Sequence, residues 1–128
     1  MPHLHIEYSK GLSDQVDIGE LVGQLHARMV ASAMFPTAGI RVRAFSADHA
    51  LVADGLAENN FVAMTLSVGA GRAQADLKCE GDQLFSIAQS VLQAPLSQPH
   101  FALSLEIREI NPDLSWKDTP IHGRLSKS

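Results

Sequence analysis

The same pattern of strand, helix and strand occurs twice in this sequence, about 60 residues apart. Residues 3–8 alternate polar and apolar side chains, which is typical of a half-buried strand. Shifted by 60 residues, the first strand and its following glycine have counterparts: Leu4 with Met64, Ile6 with Leu66, Tyr8 with Val68 and Gly11 with Gly71. The sequence therefore predicts a fold built from two equivalent halves.

Each half continues with an amphipathic helix and a second strand. In the first half, Ser13 and Asp14 are candidate caps of a helix that ends before Pro36, with apolar residues spaced by three and four: Ile18, Leu21, Val22, Leu25 and Met29. The strand that follows has Ile40, Val42 and Ala44 on one face. The second half has a helical set and then a strand set: Leu77, Gly81, Leu84, Ala88, Val91 and Leu92, then Ala102, Leu103, Leu105, Ile107 and Ile110.

Two β-α-β units side by side predict an α/β (α+β) fold, in which a four-stranded sheet carries both helices on one face. The 128 residues fit one domain, 1–128, because single cores of this size are common. Within it we expect pseudo-repeats over 2–45 and 61–110, and a C-terminal arm over 111–128.

A connector joins the two repeats over residues 46–60. Ala53-Asp54-Gly55 is a turn signal within it, and a short strand is an option at Ala50–Val52. The C-terminal arm scatters apolar residues among polar ones, and we expect it to reach a neighbouring subunit: Leu114, Trp116, Ile121 and Leu125. The arm is assigned no site role.

The sheet face away from the helices is polar with one aromatic residue, Phe45. Its other members are His3, His5, Glu7, Arg41 and Arg43. A small α/β layer usually covers such a surface by association, so a symmetric oligomer is expected.

Composition excludes several classes of protein. Ten Lys and Arg against fourteen Asp and Glu give a net charge of −4, which argues against a general nucleic-acid binder. No run reaches the roughly 18 apolar residues of a membrane-spanning helix, and the first residues lack a secretory signal. The single cysteine, Cys79, forms no internal disulfide. A cytoplasmic protein without membrane or nucleic-acid partners is expected.

Pro2 is the first candidate for chemistry. The initiator methionine is generally removed before a small residue, which would leave a secondary amine at the start of the first strand. Such an amine is a base at neutral pH only if desolvation or nearby cations depress its pKa. The alternative is that Pro2 only shapes N-terminal processing and begins an edge strand.

A glycine turn and two arginines are candidates for binding an anion. Gly69-Ala70-Gly71-Arg72 lies between a strand and a helix, and the Arg72 guanidinium can hold a carboxylate with two hydrogen bonds. Arg41 and Arg43 share one strand face. The alternatives are a plain turn with a solvated Arg72, and ion pairs of Arg41 or Arg43 with acidic residues across subunits.

His3, His5 and Glu7 are candidate metal ligands. His3-x-His5-x-Glu7 projects two imidazoles and a carboxylate to one side of a strand, as a zinc site requires. No third histidine is placed by the sequence, and satisfied polar residues at a subunit interface are favoured instead.

These residues resemble the tautomerase superfamily, whose members use an N-terminal proline. A longer set of segments resembles the 5-carboxymethyl-2-hydroxymuconate Δ-isomerase family and spans most of the chain: 1–3, 35–43, 53–55, 61–66, 69–72 and 103–107. The resemblance implies a homotrimer with a central barrel of sheets, no cofactor, and a role in aromatic-acid catabolism through homoprotocatechuate (4-hydroxyphenylacetate degradation).

The resemblance also implies site roles. Pro2 would take a proton from the 2-hydroxyl of a dienol substrate that carries several carboxylates, and return one to the carbon at the far end. Arg41 and Arg72 would bind the carboxylates and draw electron density, with Arg43 as a further binding residue. Two alternatives stay open: a related tautomerase acting on another unsaturated keto acid, and a trimeric binding protein without catalysis.

Overall fold

Four strands form one sheet in the computed structural model, which describes residues 2–125. The strands are β1 (His3–Ser9), β2 (Arg41–Ala47), β3 (Asn60–Gly69) and β4 (Phe101–Ile110). Their order across the sheet is β2-β1-β3-β4. The predicted four-stranded sheet of two β-α-β halves is confirmed.

The strand directions bring four chain segments to one end of the sheet. β1 runs parallel to β2 and pairs His3 with Arg41, while β1 runs antiparallel to β3 and pairs His3 with Ser67. β3 runs parallel to β4, and its last residue, Gly69, pairs with Ile110. The beginnings of β1 and β2 therefore lie beside the ends of β3 and β4.

Two helices cover one face of this sheet, as predicted. They are α1 (Ile18–Ala31) and α2 (Gln74–Val91), and a short helix α3 (Gln93–Leu96) follows α2. Their buried residues join those of the two central strands in one core: Leu21, Leu25, Met29, Leu77, Leu84 and Ala88 with Leu4, Ile6, Val62, Met64, Leu66 and Val68. No helix of residues 2–125 is both long and apolar enough to cross a bilayer.

The predicted cap of α1 at Ser13 and Asp14 is wrong. These residues belong to a 3-10 helix, Lys10–Asp14, which exists because the fully buried Leu12 holds the chain against the core for another turn. The cap is Asp17, whose carboxylate accepts a hydrogen bond from the Glu20 backbone N–H at 3.1 Å. This bond satisfies one of the free amides at the start of the helix.

The connector between the repeats contains a turn but no strand. The predicted short strand at Ala50–Val52 is wrong, because the Val52 carbonyl accepts hydrogen bonds from the Gly55 N–H and the Asn59 side-chain amide instead of a strand. Ala53 and Gly55 have φ of 55° and 84°, so the predicted turn at Ala53-Asp54-Gly55 is confirmed.

A buried ion pair joins the two long helices. Glu80 of α2 is 3% exposed, and its carboxylate accepts two hydrogen bonds from the Arg28 guanidinium of α1, both at 3.0 Å. Ser32, which follows α1, donates a third hydrogen bond to Glu80 at 3.0 Å. The burial of this carboxylate is offset by its three donors, as a buried charge requires.

The segment after β4 folds into two short helical turns. A 3-10 helix spans Pro112–Leu114 and α4 spans Pro120–Leu125, which lies against the turn Thr37–Gly39 of the same chain. Two apolar side chains of the segment remain largely exposed, Leu114 at 70% and Trp116 at 85%. The predicted arm reaching a neighbour stays a prediction, and its residues 126–128 lie outside the described residues.

Gly71 and Gly23 differ in backbone conformation, and this difference predicts opposite effects of alanine on stability. Gly71 has φ of 109°, which side-chain-bearing residues rarely adopt, although a Cβ there meets nothing within 4 Å. Gly23 lies exposed inside α1 with equal space and ordinary helical geometry. We expect Gly71→Ala to lower the free energy of unfolding by about 1–3 kcal/mol, and Gly23→Ala to raise it by about 0.8–1.0 kcal/mol.

Urea unfolding of both variants beside the parent chain measures these changes. Equal effects of the same sign at the two positions would contradict the strained backbone assigned to Gly71.

Candidate active site

A cavity of about 570 Å³ lies at the end of the sheet where the four segments meet. His3 and Arg41 line it from the starts of β1 and β2, and Gly69 and Ala70 line it from the end of β3. The segment after β4 supplies the remaining side through residues 115–119. A cavity of this volume fits a small organic molecule.

Pro2 is buried beside two residues of the cavity wall. It precedes His3 in the chain, and its carbonyl accepts a hydrogen bond from the Arg41 backbone N–H at 3.1 Å. The structure therefore joins the backbones of Pro2 and Arg41, and the described cavity wall includes Arg41 but not Pro2 itself. Met1 lies outside the described residues, so its predicted removal stays a prediction.

His3 contacts Arg41 across the β1–β2 pair. Nη1 of Arg41 lies 3.1 Å from Nε2 of His3. The pKa of His3 is lowered from its ordinary value, first because the ring is partly desolvated and then because Arg41 and Arg43 repel a second positive charge. A neutral imidazole therefore faces the Arg41 guanidinium. From the sequence, His3 was expected only as a metal or interface residue, and its contact with Arg41 was not predicted.

Arg72 lies at the same end of the sheet and braces two loops. Its guanidinium donates hydrogen bonds to the carbonyls of Gly69 and Met34, at 3.1 Å and 3.2 Å. The same group lies over the Phe35 ring, 5.6 Å from its centroid, which is a cation–π contact. The described cavity wall includes Gly69, which Arg72 holds, but not Arg72 itself.

A chain of hydrogen bonds connects Arg72 to the buried ion pair. Met34 accepts from Arg72 through its carbonyl and donates through its N–H to the Ser32 hydroxyl at 3.2 Å. Ser32 in turn donates to the Glu80 carboxylate. The loop that carries Met34 and Phe35 is thus held between the helices and the glycine turn.

Arg43 lies two residues beyond Arg41 on the same exposed strand face. It pairs in register with His5, whose ring stacks on Phe45 with centroids 5.1 Å apart. Among residues 2–125, the cavity wall does not include Arg43. Its effect on the described site is electrostatic, through the lowered pKa of His3.

The segment after β4, which was expected to have no site role, contributes wall residues through 115–119. Trp116 offers an exposed aromatic surface, while Lys117 and Asp118 add one charge of each sign. With Arg41, the charged side chains of the described wall are two cations and one anion. The chain as a whole carries a net charge of −4, whereas the described wall has a local excess of positive charge. This local excess favours an anionic ligand.

The described residues do not form the metal site considered from His3, His5 and Glu7. Within residues 2–125, no group of three or more His, Cys, Asp and Glu side chains is placed to hold a metal ion. His3 instead accepts from Arg41, and His5 stacks on Phe45.

The brace formed by Arg72 has a stability consequence. We expect Arg72→Ala to lower the free energy of unfolding by about 1–3 kcal/mol, because two partly buried carbonyls lose their donor. Arg108→Ala is the control, since its ion pair with Glu106 is exposed and contributes about 0–1 kcal/mol. Thermal or urea unfolding measures the free energy of unfolding of both variants. Equal decreases in the two variants would contradict the bracing role of Arg72.

Comparisons with known proteins give one consistent result. The family model described as 5-carboxymethyl-2-hydroxymuconate isomerase matches residues 2–125. A 5-carboxymethyl-2-hydroxymuconate Delta-isomerase of Escherichia coli is 34% identical over 123 residues, which cover 96% of this chain and 98% of that protein. The crystal structure of a 5-carboxymethyl-2-hydroxymuconate isomerase from Deinococcus radiodurans R1 has a TM-score of 0.89 at 35% identity, with 96% and 92% of the two chains covered.

The fold recurs at lower identity. The solved structure of the W0 fused 4-OT wild type symmetric trimer has a TM-score of 0.64 at 13% identity, and 91% of this chain and 94% of that chain are covered. At this identity the likeness shows a shared fold alone.

Proposed function

This chain belongs to the 5-carboxymethyl-2-hydroxymuconate isomerase family, and we propose that it isomerises 5-carboxymethyl-2-hydroxymuconate in the cavity at the end of the sheet. The reaction converts the dienol to its conjugated keto isomer. Its place would be in aromatic-acid catabolism through homoprotocatechuate, as the family resemblance implies.

The proposed chemistry is a proton transfer without net gain or loss of atoms. The Pro2 nitrogen, once Met1 is removed, accepts the proton of the 2-hydroxyl and returns a proton to the carbon at the far end of the conjugated system. The electron pair of the O–H bond forms the carbonyl, the pair of the adjacent C=C bond moves to the next C–C bond, and the pair of the far C=C bond forms the new C–H bond. A base transfers a proton most efficiently when its pKa lies near the operating pH. The proposed step therefore requires that the pKa of the Pro2 amine is depressed.

The observation that carries the proposal is that Arg41 lies beside Pro2 and lines the cavity. As charge develops on the dienolate, a guanidinium already in place stabilises it without reorganisation. The same group can hold a substrate carboxylate with two parallel hydrogen bonds. Lys117 adds a second cation for a substrate that carries several carboxylates.

Arg72 and Arg43 are proposed as further binding residues. The two hydrogen bonds described for Arg72 use two of the five N–H donors of a guanidinium. Arg72→Ala with undiminished turnover would remove Arg72 from the substrate site. Arg43 lies on the open sheet face, where a neighbouring subunit would bring it toward a shared site.

An ultraviolet assay tests the proposed substrate directly. The processed protein is expected to convert 5-carboxymethyl-2-hydroxymuconate to the keto isomer, with kcat/KM at least tenfold above that for simpler enol acids with one carboxylate. A reversed preference would identify a tautomerase for another unsaturated keto acid. Absence of turnover on every enol acid would leave a binding protein and overturn the proposal.

We also propose that the protein is a cytoplasmic homotrimer. The open sheet face supports this, because Phe45 is 51% exposed there and apolar residues of the C-terminal segment lie uncovered. Cys79 is exposed and unpaired, which suits a reducing compartment. Light scattering should give three times the 13.8 kDa chain mass; a monomer at micromolar concentration would overturn the trimer.

A further inference from the structure

His3 and Arg41 are direct neighbours across two parallel strands, and both line the cavity. Their side chains meet at 3.1 Å, between Nη1 of Arg41 and Nε2 of His3. His3 is partly buried and Arg41 is exposed, so the imidazole is the more fixed of the two groups. The contact therefore restrains a flexible cationic side chain at the mouth of the proposed site.

The direction of this hydrogen bond follows from the chemistry of its two groups. A guanidinium has five N–H donors and no acceptor, so Nε2 of His3 must accept. The His3 ring is then neutral and carries its single proton on Nδ1.

We propose that His3 is a positioning residue for Arg41: its neutral imidazole accepts one guanidinium N–H and holds the group where it meets the substrate. This inference rests on the proposed function. A neutral acceptor is suited to the task, because a carboxylate in its place would cancel much of the charge that Arg41 presents to an anion. Holding the long side chain in one rotamer also reduces the entropy lost when substrate binds.

The charged groups around His3 favour the neutral ring. Arg41 and Arg43 face it from β2, and β3 presents the uncharged Ser67 opposite it. Lys117 and Asp118 also line the cavity, with opposite charges. The pKa of His3 is accordingly lowered, so its ring stays neutral as the pH falls past the ordinary histidine value of 6.5. The contact is lost only at lower pH, where a protonated ring has no acceptor to offer.

Substitutions test the role through turnover. We expect His3→Leu to lower kcat/KM about tenfold, because the imidazole that accepts from Arg41 is removed. His3→Gln, which keeps an acceptor near the position of Nε2, should recover activity to within about threefold of the parent. His5→Gln is the control, since His5 lies on the same strand face but does not line the cavity.

A double-mutant cycle separates positioning from general structure. In an Arg41→Ala background, His3→Leu should cause no further loss of kcat/KM, because the side chain that it positions is gone. A loss as large as in the parent background would mean that His3 acts on the fold or on another group, and would overturn the inference.

Nitrogen-15 NMR of the histidine rings gives a readout independent of turnover. We expect Nε2 of His3 to be unprotonated and Nδ1 protonated at pH 7, and the ring to remain mostly neutral at pH 6.5. Normal wild-type turnover with a proton on Nε2 would overturn the inference and leave the proposed function standing. Absence of wild-type turnover would overturn the proposed function and, with it, this inference.

Discussion

A chain whose Pro2 nitrogen is blocked should lose isomerisation almost completely, by at least about 100-fold in kcat, while its oligomeric state is unchanged. Positioned acid–base groups contribute on the order of 10²–10⁴ in rate. Retained Met1 or N-acetylation turns the prolyl nitrogen into an amide, whose lone pair is delocalised and accepts no proton.

The experiment compares three preparations of the same chain. Mass spectrometry first establishes the N-terminal residue of each sample, and the turnover of processed, unprocessed and acetylated protein is then measured by ultraviolet absorbance. Pro2→Ala is the control, because it keeps a terminal amine after Met1 is removed and should retain a measurable fraction of the activity. Parent-like rates from a fully blocked sample would remove Pro2 from the mechanism.

Arg41→Ala should lower kcat/KM by about 30- to 1000-fold, which corresponds to roughly 2–4 kcal/mol of lost transition-state stabilisation. Arg41 lies in the cavity wall, and its backbone N–H donates a hydrogen bond to the Pro2 carbonyl. Its removal takes away both a carboxylate ligand and a preorganised positive charge.

Two variants sharpen the test of Arg41. Arg41→Lys keeps the charge without the fork of donors and should fall between the parent and Arg41→Ala. Arg108→Ala removes an exposed arginine whose described ion pair is with Glu106, and should change kcat/KM less than twofold. Equal rates for Arg41→Ala and Arg108→Ala would contradict the role of Arg41.

Much of the fold could be predicted because the two halves share one pattern. Alternating residues of β1 and β3, such as Leu4 and Met64, face the helices and are buried. That regularity is strong, since a shift of one residue would expose every apolar side chain of a strand. The same repeated pattern places the beginning of β1 and the turn at Gly71 at one end of the sheet. The cavity lies at that end.

The errors fall where local patterns compete with tertiary contacts. Ser13 and Asp14 have the residue types of a helix cap, but the burial of Leu12 keeps them in a preceding 3-10 turn. Ala50–Val52 is apolar enough for a strand, yet the Val52 carbonyl is taken by the turn at Gly55 and by Asn59.

The wall formed by residues 115–119 was not predictable from the sequence. The segment has neither helical nor strand periodicity, and its place depends on where β4 ends relative to β1. The contact between His3 and Arg41 was partly predictable. Both residues face the open side of the sheet, but only the parallel register of β1 and β2 makes them opposite neighbours.

The account depends above all on an imino nitrogen that is unprotonated in neutral solution. A nitrogen-15 NMR titration of Pro2 in the processed protein measures that state directly. We predict a pKa below the value of about 7.7–8.0 for an ordinary α-amino group. A Pro2 nitrogen that titrates like that of a free prolyl peptide would contradict the account.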